Sequence, residues 1–421
     1  MVVADKLEGK GVRRLVRNTG LLYVMSLSSQ MINLALIPFQ TRVLGSEAYG
    51  VISLAVSMSS IVTIILDFGF ILSATERVVG LVGDRAGLSR FLANVACAKL
   101  ALALAVGGVV AALIAFVPPF CDNRSLFVLY YLAYAVNAFL PDFFYRGHED
   151  MRAITMRTVA IKLVSALPIF VLLRGPADMW VVPALLLLGN VGAVMLSYRD
   201  VARRYGIAPV GGAVRESLQL LRSSFGFFVS RFASVFYQSL NAVLLGFAYP
   251  GQAVVGHYGA AEKFLSCAKT ASSPVADSLY PYMVRTKSYR LCIWLLAVAC
   301  PLILVAAVVA WIFAEPLCLF VFGPGYEGAA VLLRCLMPAI TVIFPTYVLC
   351  FPMLVPMGLS SLANRSNVIG AVVQVVLVVV LVVTGTFSAP TLCLAASVSE
   401  VSVFLFRLWA VISNRHLLGE A

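Results

Sequence analysis

The chain has 421 residues, 61% of them hydrophobic and only 12% charged, with a formal net charge of +12 and a mean hydropathy of +0.97. Soluble domains carry about 25% charged residues, so the composition excludes a water-soluble protein and implies a polytopic membrane protein. The basic residues stand in short clusters between apolar runs, a pattern of membrane topology and not of a nucleic-acid-binding face.

The N-terminal basic stretch, Lys6 to Arg17, precedes an apolar run over 21–36. No small-x-small cleavage site follows it, so an uncleaved first helix is expected and not a signal peptide. Apolar runs of about 20 residues, the length that crosses a bilayer, number about twelve. Their cores fall at 19–40, 50–73, 90–117, 125–145, 154–173, 179–198, 222–247, 254–278, 290–314, 329–351, 366–384 and 390–412. Arg42 and Glu47 bracket Gly45 at the end of the first run, which reads as a turn. Prolines 38, 168, 183, 274, 338, 345, 352 and 356 fall in or near the runs and are expected to kink them.

The longest connection, 198–216, contains Arg203-Arg204, Gly206, Pro209 and Gly211-Gly212. It divides the chain into an N-terminal lobe over 1–205 and a C-terminal lobe over 206–421, each with six spans. Most of the 31 lysines and arginines lie at the N-terminus, after the even-numbered spans or at the C-terminus, among them Arg77, Arg146, Arg203 and Arg285. The opposite loops carry Arg42, Arg124 and Arg174. By the positive-inside rule both termini are expected on the cytoplasmic side of the cell membrane.

The halves show signs of a repeat. Ser26, Gln30 and Asn33 recur as Ser234, Gln238 and Asn241 at an offset of 208, Tyr49-Gly50 as Tyr258-Gly259 at 209, and Asp67 as Asp277 at 210. Both halves would enter the membrane from the same side, giving a parallel repeat of the kind found in transporters whose halves rock about a central substrate site.

Charges set inside the runs at 222–247 and 254–278 are the anomaly of the sequence. Arg231, Ser234, Gln238 and Asn241 share one face of a helix, and Tyr258, Glu262, Ser266, Lys269, Ser273 and Asp277 form a second stripe with Lys263 beside it. A charge at the centre of a membrane helix costs roughly 2.5–3.5 kcal/mol on insertion scales, so such residues line a cavity or pair. Arg231 lies roughly 13 Å from its helix end at 1.5 Å per residue, Lys263 at a similar depth from the other face and Lys269 roughly 9 Å further toward the cytoplasm, so the three could surround one cavity near the midplane. One reading is a cationic cavity for an anionic group such as a diphosphate, with Gln238, Asn241, Gln30 and Asn33 completing the polar wall. The other is that Lys263 and Lys269 pair with Glu262 and Asp277, or snorkel. Asp67 and Glu400 could couple transport to an ion or merely be satisfied polar groups, and Lys99 and Lys162 lie close enough to span ends to snorkel.

Nothing in the chain resembles a catalytic motif, a nucleotide-binding loop or a cofactor site, so no enzyme activity and no cofactor are expected. The nine cysteines are dispersed without a CxxC pair, and the three histidines are far apart, so no metal site is expected.

Four stretches carry a resemblance. These are Ile37-Pro38-Phe39-Gln40-Thr41-Arg42-Val43-Leu44-Gly45 with Glu47-Ala48-Tyr49-Gly50, then Leu66-Asp67-Phe68-Gly69-Phe70, then the aromatic-rich run from Pro141 to Met151. The fourth joins Phe227-Phe228-Val229-Ser230-Arg231 to Tyr258-Gly259-Ala260-Ala261-Glu262-Lys263 and Leu279-Tyr280-Pro281. Their order resembles the O-antigen and exopolysaccharide flippases of the multidrug/oligosaccharidyl-lipid/polysaccharide (MOP) exporter superfamily. Tyr145-Arg146 stands where that family's motif would have Phe-Gln.

The resemblance implies an all-α polytopic membrane protein with about twelve spans in two pseudo-symmetric six-helix lobes arranged as a V. It implies an oligosaccharide carried on undecaprenyl diphosphate as substrate, moved by alternating access, with membrane lipids, polysaccharide polymerase and assembly proteins as partners. The cation-lined cavity it implies maps onto Arg231, Lys263 and Lys269. A drug/cation antiporter of the same superfamily and a non-transporting component of polysaccharide assembly are the competing readings. The first calls for an acidic cavity and the second for no deep charge stripe at all.

Overall fold

A computed structural model describes the backbone of all residues except 1, 119, 149, 208–210, 251–252, 287–288 and 419–421. It also describes the side chains of these residues other than 2–31, 33–34, 72, 227, 230–231, 233–239, 277–278, 281–282, 284–286 and 417–418. Among the described residues there is no strand, and the chain is a succession of helices. In order these are α1 (Val2–Asp67), α2 (Phe70–Gly80), α3 (Arg85–Phe116), α4 (Arg124–Ala138), α5 (Asp142–Gly147), α6 (Met151–Ala166), α7 (Ile169–Leu172) and α8 (Val181–Tyr205). They continue as α9 (Val214–Ala248), α10 (Ala253–Thr286), α11 (Tyr289–Ile312), α12 (Ala314–Phe322), α13 (Glu327–Val348), α14 (Ser360–Val383) and α15 (Ala389–Ser413).

Nine helical segments among the described residues are long and apolar enough to cross a membrane. Helices α9 and α10, of 35 and 34 residues, cover the two runs whose stripes are polar. Valine and leucine stand outward along the membrane-crossing segments: Leu188 on α8, Leu302 on α11 and Val383 on α14 are all more than 60% exposed. An apolar surface of that kind is the signature of lipid contact, because lipid tails replace water as the solvent. The all-helical membrane fold expected from the sequence is therefore the fold found.

Helix boundaries follow local chemistry. Gly45 breaks α1 with φ 74° and ψ 174°, the turn expected between Arg42 and Glu47. A second break falls at Phe68 (φ 46°) and Gly69 (φ 76°), which cuts the expected second span short at Asp67 and restarts it as α2. Positive φ is inexpensive at glycine but costs a non-glycine residue energy that packing must offset. Phe68 recovers that cost in part by stacking on Phe228, with ring centroids 4.5 Å apart and planes 7° apart. Pro168 separates α6 from α7, and Pro352 lies in a π-helical segment, Leu349–Leu354, that follows α13. Removing a backbone donor from the helix ladder is what makes proline produce such irregularities.

The described chain forms two compact units, one of Met1–Leu44 and Ala55–Val235, the other of Gly45–Leu54 and Phe236–Ala421. In the first, Phe70, Phe143, Phe144 and Tyr145 form an aromatic core with Phe91 and Ile154. Asn94 ties α3 to the start of α9: its Oδ1 accepts from the Ala213 amide at 2.7 Å, its Nδ2 donates to Glu216, and its carbonyl accepts from Ser217 Oγ at 3.0 Å. The first of these bonds satisfies an amide that a helix N-terminus leaves without an intrahelical partner, and the other two join the side chains of the first turn of α9 to α3.

Lys99 does not snorkel as expected. It is 4% exposed, and its Nζ donates to the carbonyl of Ala138, the last residue of α4, at 2.6 Å. The same nitrogen sits 5.6 Å from the Phe143 ring centroid and 5.9 Å from that of Phe70. A cation at a helix C-terminus meets the negative end of the helix dipole, and two aromatic faces add to its stabilisation.

In the second unit α1's segment Gly45–Leu54 lies against α10. A Cβ at Gly50 would come 2.8 Å from the Gly256 amide nitrogen, and one at Gly256 would run into the Ser46 carbonyl. Tyr326, fully buried, donates from its hydroxyl to the Gly45 carbonyl at 3.2 Å and packs edge-on to Tyr49. Burial holds its phenol well above the usual tyrosine range, so it stays a donor. Arg407 on α15 is 5% exposed and joins three helices. It donates to Ser366 Oγ at 2.8 Å, the Thr346 carbonyl at 2.8 Å and Asn367 Oδ1 at 2.7 Å.

Candidate substrate-binding site

The polar residues expected to form a site divide by what can be described. Arg231, Gln238, Gln30, Asn33 and Asp277 have side chains outside the described residues. Asn241, Glu262, Lys263, Lys269 and Glu400 are described and all belong to the second unit. Asp67 belongs to the first, within electrostatic reach of Lys99, to which Asp142 is the other acidic neighbour.

Lys269, midway along α10, places its Nζ 2.7 Å from Glu400 Oε1 on α15, with the two side chains 20% and 13% exposed. Lys263 lies 3.5 Å from Glu262, with exposures of 31% and 36%. The two contacts differ in weight. Neighbours one apart on a helix point in different directions and meet only at their tips, and half-exposed pairs contribute about 0–1 kcal/mol. The Lys269–Glu400 pair is short, more enclosed and joins two helices. Tyr49, 3% exposed, stands within electrostatic reach of both Lys263 and Glu262.

Beside Glu400, Ser399 turns to the opposite neighbour. Its Oγ donates to Gln374 Oε1 at 2.8 Å, and Gln374 Nε2 donates to Asn241 Oδ1 at 2.8 Å. Successive residues on a helix point about 100° apart at 3.6 residues per turn, so α15 is tied to α14 and α9 through Ser399 and to α10 through Glu400. All members of the chain Asn241–Gln374–Ser399 are buried, at 4%, 1% and 2% exposure. Buried amides of this kind are stable only when paired, and here each amide has its partner.

Of the expected site residues, then, Lys269 and Glu400 are brought together, Lys263 and Glu262 touch, and Asn241 joins a separate hydrogen-bonded chain. Gln374, Ser399 and Arg407 take structural polar roles that the sequence reading did not assign to them. The signal was present: Gln374 interrupts the valine run Val372-Val373-Gln374-Val375-Val376. No group of three or more potential metal ligands occurs among the described residues.

Comparison with known proteins agrees with this architecture. Residues 15–287 match the family model described as "Polysaccharide biosynthesis protein". A Shigella dysenteriae protein named "Putative O-antigen transporter" is 23% identical over 406 residues, covering 94% of this chain and 99% of the relative. A protein of the same name from Escherichia coli (strain K12) is 21% identical over 334 residues, covering 76% of this chain and 79% of the relative. Among solved structures, the lipid II flippase MurJ in an inward closed conformation superposes with a TM-score of 0.69 at 10% identity, over 95% of this chain and 89% of that one. An inward-facing multidrug resistance MATE family transporter of the MOP superfamily gives 0.67 at 16% identity, over 92% and 95%. These structures share the fold. The chain belongs to the family of polysaccharide biosynthesis proteins that this model describes.

Proposed function

We propose that the protein is a flippase for lipid-linked oligosaccharides, moving repeat units carried on undecaprenyl diphosphate across the cytoplasmic membrane for O-antigen, capsule or exopolysaccharide synthesis. The observation that carries this reading is the Lys269–Glu400 pair inside an apolar helical bundle. Two charges placed there cost several kcal/mol in desolvation, so such pairs in membrane proteins mark sites of function. The O-antigen transporter to which the chain is similar along 94% of its length and the lipid II flippase that shares its fold support a lipid-diphosphate cargo.

In this reading Lys269 and Lys263, with Arg231 on α9, receive the diphosphate, and Glu400 holds Lys269 until the substrate phosphate replaces it. Transport proceeds by alternating access between lobes 1–205 and 206–421, with both termini cytoplasmic. Polysaccharide polymerase and assembly proteins receive the product. Asp67 and Glu400 are the carboxylates available for ion coupling. Lys263 and Lys269 each stand beside one carboxylate, Glu262 and Glu400, so the carboxylates at the site do not outnumber its lysines as the acidic cavity for a cationic drug requires.

The test is binding of inorganic pyrophosphate and of a polyprenyl diphosphate to the purified full chain. The reading expects binding that is lost in Lys269→Ala and retained in a variant remote from the site, such as Val383→Ala. Binding unchanged in Lys269→Ala would remove Lys269 from the site.

A further inference from the structure

Outside the charged helices of the second unit, the first unit carries a groove of about 460 Å³ between α6 and α8. It shares no residue with the candidate substrate-binding site described above. The two helices run antiparallel there, since Arg157 bonds to Ser197 at one end and Ile161 meets Gly189 toward the other. The floor is made of small residues, Gly189, Gly192 and Ala193, with Ala160 opposite. The walls stand proud of it: Met156, Leu188 and Leu196 are 61%, 63% and 66% exposed. From Ala153 to Val164 on α6 the trough runs roughly 16 Å at 1.5 Å per residue, about the depth of one leaflet of a bilayer whose apolar core is about 30 Å thick.

One end of the trough is apolar and the other is charged. At the charged end lie Arg157, Arg204 and Asp200. Arg204 is 55% exposed and shares itself between Asp150 at 3.0 Å and Asp200 at 3.3 Å. Arg157 is 9% exposed, bonded to Asp142 and to Ser197 Oγ at 3.2 Å. Its Nε is a buried donor with no partner among the described residues. Arg152, Arg199 and Arg203 add three cations on the same ends of α6 and α8, and among the described residues the carboxylates nearby are Asp142, Asp150 and Asp200. The basic groups are in excess.

We propose that this groove is a binding site for one anionic bilayer phospholipid, an acyl chain in the trough and its phosphate at the exposed Arg204 of the basic end. Trough, small-residue floor and basic end match the chain, the close approach and the headgroup of such a lipid in order. The walls face outward, so the occupant enters laterally from the bilayer. A polyprenyl chain is much longer than one leaflet is deep and does not match the trough, so the site is for resident lipid and not for cargo. The inference does not depend on what the protein transports.

Gly192 gives a clean variant, because a Cβ built there meets nothing within 4 Å. A larger side chain at that position starts in open space and extends from the floor of the trough, and replacing glycine inside a helix does not weaken it. The experiment is native mass spectrometry of the delipidated full chain, titrated with phosphatidylglycerol or with phosphatidylcholine of the same acyl chains. Wild type is expected to retain one phosphatidylglycerol about fivefold more tightly than phosphatidylcholine, as one arginine contact implies. Gly192→Leu is expected to lose that molecule, and Arg204→Gln to keep a lipid but lose the preference. Thermal unfolding confirms that both variants are folded. Equal retention of the two lipids by wild type, or retention unchanged in folded Gly192→Leu, overturns the proposal. Displacement of phosphatidylglycerol by stoichiometric polyprenyl phosphate overturns the assignment to a resident phospholipid.

Discussion

Lys269 on α10 and Glu400 on α15 stand 2.7 Å apart, joining two helices that are 131 residues apart in sequence at this point. In the apolar interior of a bundle neither charge is stable alone, so each defines what the other does. Removing one partner leaves the other as an uncompensated charge, which costs more than removing both.

A double-mutant cycle follows. Lys269→Met and Glu400→Gln are each expected to lower stability in detergent, and the double variant is expected to recover part of the loss. The coupling should be about 1–3 kcal/mol, the range for residues in direct contact. Chemical denaturation followed by tryptophan fluorescence reads it, and a coupling of zero would show that the pair contributes nothing.

Glu400 also competes with any anion for Lys269. Glu400→Gln removes the competitor and keeps the shape, so pyrophosphate affinity at Lys269 should rise by about tenfold or less, one tenfold step being about 1.4 kcal/mol. Isothermal titration of wild type and variant checks it; weaker binding in Glu400→Gln would show that the carboxylate assists the anion site.

The contact between α1 and α10 in the second unit rests on glycines. Gly256→Ala places a methyl group against the Ser46 carbonyl, and overpacking of this kind typically costs about 1–3 kcal/mol. Gly108→Ala, a helical position with open space around it, should be neutral or stabilising. Thermal unfolding of the two variants side by side separates close approach from helix propensity, and equal midpoints would refute the packing argument.

Lys99 caps α4 through the Ala138 carbonyl. Lys99→Met keeps the length of the side chain and removes the donor, leaving a buried carbonyl acceptor at the helix end with no side-chain donor. The expected loss is about 1–3 kcal/mol, the cost of an unsatisfied buried group. A variant as stable as wild type would mean that the Lys99 ammonium is no better placed than a methyl group.

The positions of these residues show where the sequence was legible. Runs of apolar residues dictated the helices because a bilayer leaves the backbone no alternative, and Gly45 between Arg42 and Glu47 marked a turn because glycine alone enters positive φ without strain. Lys99 was misread because distance from a helix end does not reveal that another helix terminates beside it. Glu400 was recognised as an unusual carboxylate, yet its pairing with Lys269 was not foreseen, since nothing local links α15 to α10. The same holds for Gln374 and Ser399, whose polarity was visible in their apolar runs while their shared bonds were not.

Transport decides the functional reading most directly. Proteoliposomes containing the full chain and a fluorescent undecaprenyl-diphosphate oligosaccharide report movement between leaflets through quenching by a membrane-impermeant reductant. Wild type is predicted to move the lipid, and Lys269→Ala, folded by the criterion of its unfolding midpoint, to move it at least about tenfold more slowly, the loss of one charge-assisted phosphate contact. Wild-type protein that leaves the lipid in its original leaflet contradicts the flippase reading, and equal rates for the two proteins contradict the role of Lys269.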